Sequence, residues 1–227
     1  MKRKIIITDD GSTSFELLNV KEQYHSTFGA IQEAQFVYIK NGLNHVFKSL
    51  QKNKNLAVLE MGFGTGLNAF LSFLYAKKNN IKIDYTGIEA FPLNADEVSQ
   101  LNYIKQLKAE KYSEVFKYFH TINQDGESKI DSNFSLKLIF KSLNNCQLKT
   151  QFNLIYFDAF GPDIQSELWT EEIFKKMYSA LLPQGVLVTY SAKGQVRRNM
   201  IKAGFEVERL EGPPGKREML RATKVNR

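Results

Sequence analysis

Three glycines at alternate positions, between an apolar run and a helical pattern, constrain this chain more than any other feature. Residues 56–62 read Leu-Ala-Val-Leu-Glu-Met-Gly, so the apolar run ends in an acid, Glu60. Gly64 and Gly66 follow, and an apolar helical periodicity begins at Leu67. Glycine permits a tight turn and close approach of the backbone to a ligand, and the amides at a helix start favour an anionic group. The segment therefore predicts a buried strand, a ligand-binding turn and a helix.

The glycine spacing distinguishes between ligands. A dinucleotide fold uses Gly-x-Gly-x-x-Gly and a Walker loop requires Gly-Lys-Ser/Thr, whereas this chain has Glu-x-Gly-x-Gly-x-Gly. An acid ahead of the glycines suits a cofactor with positive charge, such as the α-amino group and sulfonium of S-adenosylmethionine. The pattern resembles the first motif of class I methyltransferases. A plain strand–helix connector is the alternative, because glycine-rich turns also occur there.

A second acid ends the next predicted strand. Residues 83–89 alternate between polar and apolar side chains and end in Glu89. In nucleotide-binding α/β sheets, an acid at this point accepts hydrogen bonds from ribose hydroxyls. We therefore expect Glu89 to contact the ribose of the cofactor, with a solvated acid at a strand end as the alternative.

Strand and helix patterns alternate through most of the chain. They predict a Rossmann-like α/β fold of the class I methyltransferase type, with a mainly parallel sheet and helices on both faces. An N-terminal extension of hairpin and helices, residues 1–52, precedes the methyltransferase domain, residues 53–227. The hairpin turns at Asp10-Gly11. The predicted helices are 31–39, 43–50, 67–78, 94–101, 109–119, 171–182 and 194–203, and the predicted sheet strands are 56–61, 83–89, 136–140, 152–158, 185–190, 205–210 and 218–222.

Composition restricts the class of protein. Hydrophobic content of 43% and charged content of 24% are ordinary for a soluble globular chain. No apolar run approaches the roughly 20 residues of a membrane span, and the single cysteine, Cys146, argues against a thiolate metal site. We therefore expect a cytoplasmic protein with no metal and no membrane partner. The net charge of +7 suits a polyanionic partner, although it also occurs in proteins that bind none.

An aspartate, Asp158, follows the buried strand at 152–157 and opens the loop Asp-Ala-Phe-Gly-Pro-Asp. Open parallel sheets bind ligands beyond the carboxyl ends of their strands, so Asp158 should face the same crevice as Glu60 and Glu89. In methyltransferases that act on nitrogen, this loop meets the substrate amine, although their common Asp/Asn-Pro-Pro-Phe/Tyr motif is not the string found here. Asp158 therefore either contacts an amine or accepts backbone hydrogen bonds within the turn.

The C-terminal third is basic. Lys193 and Arg197 lie on one face of a predicted helix, and Lys216 and Arg217 lie in a loop rich in proline and glycine. Fixed cations of this kind can hold phosphates. On the sequence alone, a solvated helix face and an ordinary surface loop are the favoured interpretation.

Seven short strings occur along the chain in a fixed order. They are Tyr24-His25-Ser26 with Gly29-Ala30, the run Glu60–Asn68, the run Asp158–Asp163, Trp169, the run Ala192–Arg198, Ala203-Gly204-Phe205 and the run Gly212–Met219. Their combination resembles the stand-alone methyltransferase domain of the tRNA 5-methylaminomethyl-2-thiouridine biosynthesis family. In bifunctional relatives a flavin-dependent oxidase is fused to this domain. We expect no fused oxidase here, because no second glycine fingerprint follows.

The resemblance implies methyl transfer from S-adenosylmethionine to the amine of 5-aminomethyl(-2-thio)uridine at the wobble position of tRNA. It makes Asp158 the residue nearest the amine. Many relatives carry an acid after the fourth strand that contacts adenine, and Ser142 or backbone groups would replace it here. The implied cofactor residues are Glu60, Gly62, Phe63, Gly64, Gly66, Asn68, Glu89, Ser142 and Asp158. The implied substrate residues are Tyr24, His25, Phe160, Lys193, Arg197, Arg198, Lys216 and Arg217.

Two rival functions share these features. An aminopropyltransferase of the spermidine synthase type has the same fold and glycine motif, uses decarboxylated S-adenosylmethionine, and would place acids for a polyamine. A catalytically silent tRNA-binding module is the second rival. The intact set of Glu60, Glu89 and Asp158 argues against the silent module, which has no need of a cofactor site.

Overall fold

An eight-stranded sheet forms the centre of the computed structural model, which describes residues 2–20, 22–49, 55–122 and 126–225. Its strands in chain order are β4 (Asn55–Met61), β5 (Lys82–Ile88), β6 (Glu127–Lys129), β7 (Phe134–Ile139), β8 (Phe152–Phe157), β9 (Leu181–Thr189), β10 (Glu206–Glu211) and β11 (Glu218–Thr223). The spatial order is β10-β11-β9-β8-β4-β5-β7-β6. The five central strands are parallel, and β6, β10 and β11 are antiparallel at the edges. The predicted mainly parallel sheet is confirmed.

Helices cover both faces of this sheet. They are α3 (Leu67–Asn79), α4 (Ala95–Ser99), α5 (Tyr103–Gln106), α6 (Ser113–Phe119), α7 (Glu171–Ala180) and α8 (Gly194–Lys202). Successive side chains of a strand point to opposite faces, and β8 shows the consequence. Leu154 and Tyr156 join the core that contains α3 and α6, whereas Ile155 and Phe157 join the core that contains α7 and α8.

The N-terminal segment consists of a small antiparallel sheet and one long helical stretch. The sheet contains β1 (Arg3–Ile7), β2 (Thr13–Leu17) and β3 (Glu22–Gln23). The helical stretch is continuous, with α1 (Ala30–Ala34), a π-helical segment (Gln35–Leu43) and α2 (Asn44–Ser49). The sequence predicted two helices here, and the π-helical segment joins them.

The π-helical segment packs closely against the sheet. A Cβ atom added to Gly42 would lie 2.9 Å from Val188 Cγ2 of β9, so glycine allows the helix to approach this strand. Val37 and Leu43 are fully buried in the same core as the central strands. The predicted domain boundary at 52/53 lies outside the described residues, and the division into extension and domain stays a prediction.

Several element boundaries differ from the sequence prediction, chiefly the one between α7 and β9. The helix predicted to end at 182 stops at Ala180, and β9 begins at Leu181, four residues earlier than expected. Pro183 cannot continue a helix and disfavours the helical conformation before it, and Leu181 pairs instead with Phe152 across an irregularity in the ladder. The sequence prediction lacks the short edge strand β6 and the short helix α5, which lies between two predicted helices. Within the described ranges, no helix combines the length and apolarity that crossing a membrane requires.

Candidate active site

A cavity of about 530 Å³ opens beyond the carboxyl ends of β4, β5 and β8. This volume lies within the usual range of small-molecule sites. The loops that follow these three strands line one part of it, and residues of the N-terminal segment, including Tyr24 and Glu33, line another. The predicted crevice is therefore present, but the N-terminal segment closes part of it.

The glycine turn shapes the floor of the cavity. All three glycines have left-handed φ angles, +89° at Gly62, +51° at Gly64 and +73° at Gly66. A Cβ atom at Gly62 would lie 2.4 Å from the carbonyl oxygen of Asp158, so only glycine fits there. Gly62, Phe63 and Gly64 line the cavity. Gly66 lies outside the lining and immediately precedes α3 as its N-cap residue, so its predicted contact with the cofactor stays a prediction.

Glu89 holds this turn in place. Its Oε2 accepts a hydrogen bond of 2.7 Å from the amide of Gly64, and its Oε1 accepts one of 2.8 Å from the amide of Phe91. The side chain also lines the cavity, as does Ser142 on the neighbouring loop. The predicted contacts of Glu89 with ribose and of Ser142 with adenine remain compatible with these positions.

Asp158 is fixed through both of its carboxylate oxygens. Oδ1 accepts a hydrogen bond of 2.6 Å from the hydroxyl of Tyr38, and Oδ2 accepts one of 2.8 Å from Nδ2 of Asn68. The carboxyl lines the cavity but is otherwise enclosed by protein. This desolvation raises the pKa of Asp158 to about 7, in spite of the two hydrogen bonds, which lower it.

Glu60 lies behind the cavity wall. The side chain is completely buried, outside the cavity lining, and its Oε1 accepts a hydrogen bond of 2.8 Å from Nδ2 of Asn68. Burial, with Asp158 adding to it, raises the pKa of Glu60 well above its usual value. Asn68 thus connects Glu60 to the cavity lining, and the predicted contact of Glu60 with the cofactor stays a prediction.

The polar groups around Asn68 fit a cationic amino group. Its Oδ1 is buried and, among the described residues, has no hydrogen-bond partner, although the residue lines the cavity. Such an orphaned acceptor is costly unless a donor reaches it. The α-amino group of S-adenosylmethionine is a suitable donor, and the glycine turn offers the close backbone approach that the cofactor requires.

Three aromatic residues predicted to bind substrate line the cavity. Tyr24, His25 and Phe160 meet there, and the rings of Tyr24 and Phe160 pack edge to face with centroids 5.0 Å apart. The Tyr24 hydroxyl accepts a hydrogen bond of 2.7 Å from Nε of Arg3. Desolvation lowers the pKa of His25 to about 4, so its ring is neutral near neutral pH.

The five predicted basic residues do not form one binding group. Lys216 lines the cavity, whereas the other four lie outside its lining. Lys193 forms an ion pair with Asp163 on the surface, and Nη2 of Arg198 donates a hydrogen bond to Gln195. Arg198 and Arg217 are exposed, and Arg197 is half-buried.

Several residues of the site were missed from the sequence. Tyr38, which holds Asp158, lies in an apolar helical pattern and has no local signal that separates it from other core residues. Glu33 is 6% exposed and shares a buried helix face with Ala30 and Ala34. An acid on an otherwise apolar face was therefore an available signal. Tyr190, which follows β9, also lines the cavity.

A family model described as S-adenosyl-L-methionine-dependent methyltransferase matches residues 101–225. The chain belongs to this family. Its cofactor is therefore S-adenosyl-L-methionine, as the glycine turn predicted. Among the described residues, no group of three His, Cys, Asp or Glu side chains could hold a metal ion.

Curated relatives agree with the resemblance found in the sequence. The chain is 28% identical to the tRNA 5-methylaminomethyl-2-thiouridine biosynthesis bifunctional protein MnmC of Ectopseudomonas mendocina, over 87% of this chain and 31% of the relative. It is 30% identical to the protein of the same name from Campylobacter hominis, over 90% of this chain and 30% of the relative. The chain thus spans about a third of the length of these relatives.

Solved structures share the fold. MNMC2 from Aquifex aeolicus superimposes with a TM-score of 0.73 at 22% identity, covering 98% of this chain and 70% of that one. Spermidine synthase from Thermotoga maritima gives a TM-score of 0.58 at 17% identity, covering 98% of this chain and 69% of that one. At these identities the likeness establishes the Rossmann-like fold and nothing finer.

Proposed function

We propose that this methyltransferase acts on tRNA and transfers the methyl group to the amine of 5-aminomethyl(-2-thio)uridine at the wobble position. The observation that carries the proposal is the carboxyl of Asp158, fixed by Tyr38 and Asn68 in the cavity beside the glycine turn. The names of the curated relatives support the choice of tRNA and of this nucleoside.

Three parts of the chain would hold the cofactor. The close backbone approach that Gly62 and Gly64 permit would receive its methionine part, Asn68 Oδ1 would accept a hydrogen bond from its α-amino group, and Glu89 would accept hydrogen bonds from its ribose hydroxyls. When bound, S-adenosylmethionine supplies a methyl group already activated on a sulfonium. The protein then has mainly to align the amine with that methyl group, and such positioning can supply about 7–11 kcal/mol.

Asp158 would orient the amine and receive its proton. The amine must be neutral to attack the methyl carbon. A carboxyl with a pKa of about 7 is matched to taking a proton near neutral pH, and its fixed oxygens can accept an N–H while the lone pair points at the methyl group. The fixed geometry of the Asp158 carboxyl supports the orienting role, and its raised pKa supports a base role beside it.

The nucleic acid would contact exposed basic residues outside the cavity. Arg198 and Arg217 are exposed and available to phosphates. Tyr24 and Phe160 would pack against the nucleoside inside the cavity. A tRNA partner accords with the cytoplasmic location expected from the composition.

An aminopropyltransferase is the second candidate, because one specific observation favours it. Glu22 and Glu33 line the cavity, and acids placed for a polyamine are what that reaction requires. The two candidates differ in cofactor and acceptor, so one experiment separates them.

The experiment is a matrix of two donors and two acceptors. The purified chain is given S-adenosylmethionine or decarboxylated S-adenosylmethionine with either putrescine or tRNA that carries 5-aminomethyl-2-thiouridine, and the products are read by mass spectrometry. We expect methylated wobble nucleoside only with the first donor and the tRNA. Aminopropylated putrescine without nucleoside methylation would replace the proposal with its rival. Asp158→Ala serves as the inactive control.

A further inference from the structure

Lys216 places its charge inside the cavity instead of on the surface. Its Nζ donates a hydrogen bond of 2.5 Å to Oε1 of Glu33 and lies 3.8 Å from the centre of the Tyr190 ring. A carboxylate and the face of an aromatic ring are the two groups that bind organic cations. The cavity therefore already contains a cation site, and a side chain of the protein fills it.

The two walls of this cation site are fixed independently of Lys216. The second oxygen of Glu33, Oε2, accepts a hydrogen bond of 2.8 Å from the amide of Ser26. The hydroxyl of Tyr190 donates one of 2.8 Å to the carbonyl oxygen of Ala159, next to Asp158. Both walls would therefore keep their geometry if the lysine moved away.

A second carboxylate, Glu22, faces the same region. It lines the cavity and, within the described ranges, its carboxylate accepts no hydrogen bond. Burial raises the pKa of Glu22, and Asp163 adds to this effect, whereas Lys216 and Lys193 oppose it. The region thus holds more negative charge than Lys216 alone can balance, which suits a cation with more than one charged contact.

This arrangement conflicts with the phosphate contact predicted for Lys216 from the sequence. A phosphate at Nζ would meet Glu33, which bonds Lys216, and would face Glu22, which lines the same cavity, and like charges disfavour one another. An ammonium group has the opposite sign and would meet both acids favourably. The chemistry of the walls therefore selects a cationic ligand.

We propose that Glu33, Tyr190 and Glu22 form an ammonium subsite, and that Lys216 is its resident cation, which the charged amine of the substrate displaces. The subsite deepens the proposed function and rests on it for the identity of the amine. It lies beside Asp158, since Tyr190 is bonded to the residue that follows it. The amine would enter as an ammonium, take the place of Lys216 Nζ, and pass its proton to Asp158.

The resident cation also explains selection between nucleosides. Without it, Glu33 and Glu22 would line the same cavity with no resident cation beside them, which is unfavourable. A neutral uridine cannot replace a paired cation, because Glu33 would then lose its partner. An aminomethyl group can, so the exchange rejects unmodified uridine without any contact that is specific for it.

Lys216 lies in a short loop that backbone hydrogen bonds close, from the amide of Lys216 to Pro213 and from the amide of Gly212 to Arg217. It connects β10 and β11, and Gly215 has a left-handed φ of +82°. Gly215 packs against the ring of Phe28, which is 50% exposed. Release of Lys216 from the cavity would therefore leave the strands of the sheet in place.

The test uses benzylammonium as a probe and benzyl alcohol as its neutral match, titrated by calorimetry into the full chain saturated with S-adenosylhomocysteine. Lys216→Met removes the competing cation, so we expect benzylammonium to bind about tenfold more tightly and benzyl alcohol to be unaffected. Lys202→Met removes one exposed charge outside the cavity and should match the wild type. Glu33→Gln should abolish the preference for the cationic probe.

Weaker or unchanged binding of benzylammonium to Lys216→Met would overturn the proposal. A second measurement on the wild-type chain guards against a variant that fails to fold. In the NMR spectrum we expect the ring current of Tyr190 to shift the Cε resonance of Lys216, because the lysine lies over this ring. Benzylammonium should abolish this shift, and benzyl alcohol should leave it unchanged. Neither measurement involves tRNA, so the subsite and the proposed function can fail separately. A failed methylation assay with a positive probe result would reject the proposed substrate and retain the subsite. Successful methylation with a negative probe result would reject the subsite alone.

Discussion

The hydroxyl of Tyr38 donates a hydrogen bond of 2.6 Å to Oδ1 of Asp158, a residue 120 positions away in the chain. Tyr38 lies in the π-helical segment, and π-helical turns are frequent at functional sites because they redirect side chains. The bond stabilises the charged form of Asp158 and so opposes the desolvation that raises its pKa to about 7. The N-terminal segment thereby tunes a group of the catalytic cavity.

Tyr38→Phe tests this relationship through the pH dependence of methyl transfer. Loss of a hydrogen bond to a charged group is worth about 1.5–3 kcal/mol, which corresponds to about one to two pH units. Since the bond lowers the pKa of Asp158, its loss should move the acid limb of the single-turnover rate to higher pH. Tyr75→Phe is the matched control, because the Tyr75 hydroxyl contacts Asn44 outside the cavity. An unshifted profile in folded Tyr38→Phe would remove this role.

Asp158→Asn should make the protein more stable at neutral pH. The pKa of Asp158 is about 7 in the fold and about 3.9 in an unfolded chain. The folded state therefore binds more protons between these values, and its stability falls as the pH rises from about 4 to about 7. Asparagine does not ionise and can keep the contacts with Tyr38 and Asn68. Its amide NH₂ can donate to the Tyr38 hydroxyl, and its carbonyl oxygen can accept from Nδ2 of Asn68.

Chemical denaturation at pH 4, 5.5 and 7.5 measures the effect. The free energy of unfolding of Asp158→Asn relative to the wild type should rise across this series, by at most about 4 kcal/mol at about 1.4 kcal/mol per pH unit. A difference that stays constant over the series would show that Asp158 ionises in the fold as freely as in the unfolded chain.

Gly62→Ala and Gly161→Ala form a matched pair of loop substitutions. At Gly62 the φ of +89° is unfavourable for alanine, and the added Cβ atom would lie 2.4 Å from the backbone oxygen of Asp158. At Gly161 the nearest atom, the Tyr190 hydroxyl, is 3.8 Å away. We expect Gly62→Ala to lower stability by about 2 kcal/mol or more and to abolish calorimetric binding of S-adenosylhomocysteine. The melting temperature of Gly161→Ala should lie within about one degree of that of the wild type, because surface substitutions without strain have small effects on stability.

The sequence predicts those parts of the site that depend on local pattern. The glycine turn, Glu89 and Asp158 each follow a buried strand. The carboxyl ends of parallel strands lie at the same edge of the sheet, so these groups are expected to lie close together. Tyr24 and His25 follow from the resemblance, whereas the contact of Tyr38 with Asp158 has no local signal, because Tyr38 reaches the cavity only through the packing of a helix on the sheet. Lys216 was placed on the surface, since a loop gives no periodicity that shows which way a side chain points.

Glu89→Ala tests the cofactor half of the cavity. The change removes the acceptor of two backbone hydrogen bonds that hold Gly64 and Phe91, together with the proposed bonds to ribose. At about 1.5–3 kcal/mol for hydrogen bonds to a charged acceptor, the dissociation constant of S-adenosylmethionine should rise about tenfold to a hundredfold. Glu114→Ala, at an exposed position of α6 outside the cavity, is the control. Wild-type affinity in folded Glu89→Ala would exclude Glu89 from cofactor binding.

The salt dependence of tRNA binding separates the exposed cations from Lys216. Arg217 is exposed beside the cavity loop, whereas Lys216 is paired with Glu33 inside the cavity. Each phosphate contact adds about 0.7–0.9 to the slope of log affinity against log salt. Arg217→Ala should therefore flatten the slope by about that amount, and Lys216→Met should leave it unchanged, although both remove one charge. Filter binding at several salt concentrations measures both slopes. If Lys216→Met flattens the slope as Arg217→Ala does, then Lys216 leaves the cavity to meet phosphate, and the basic loop acts as the single unit that the sequence suggested.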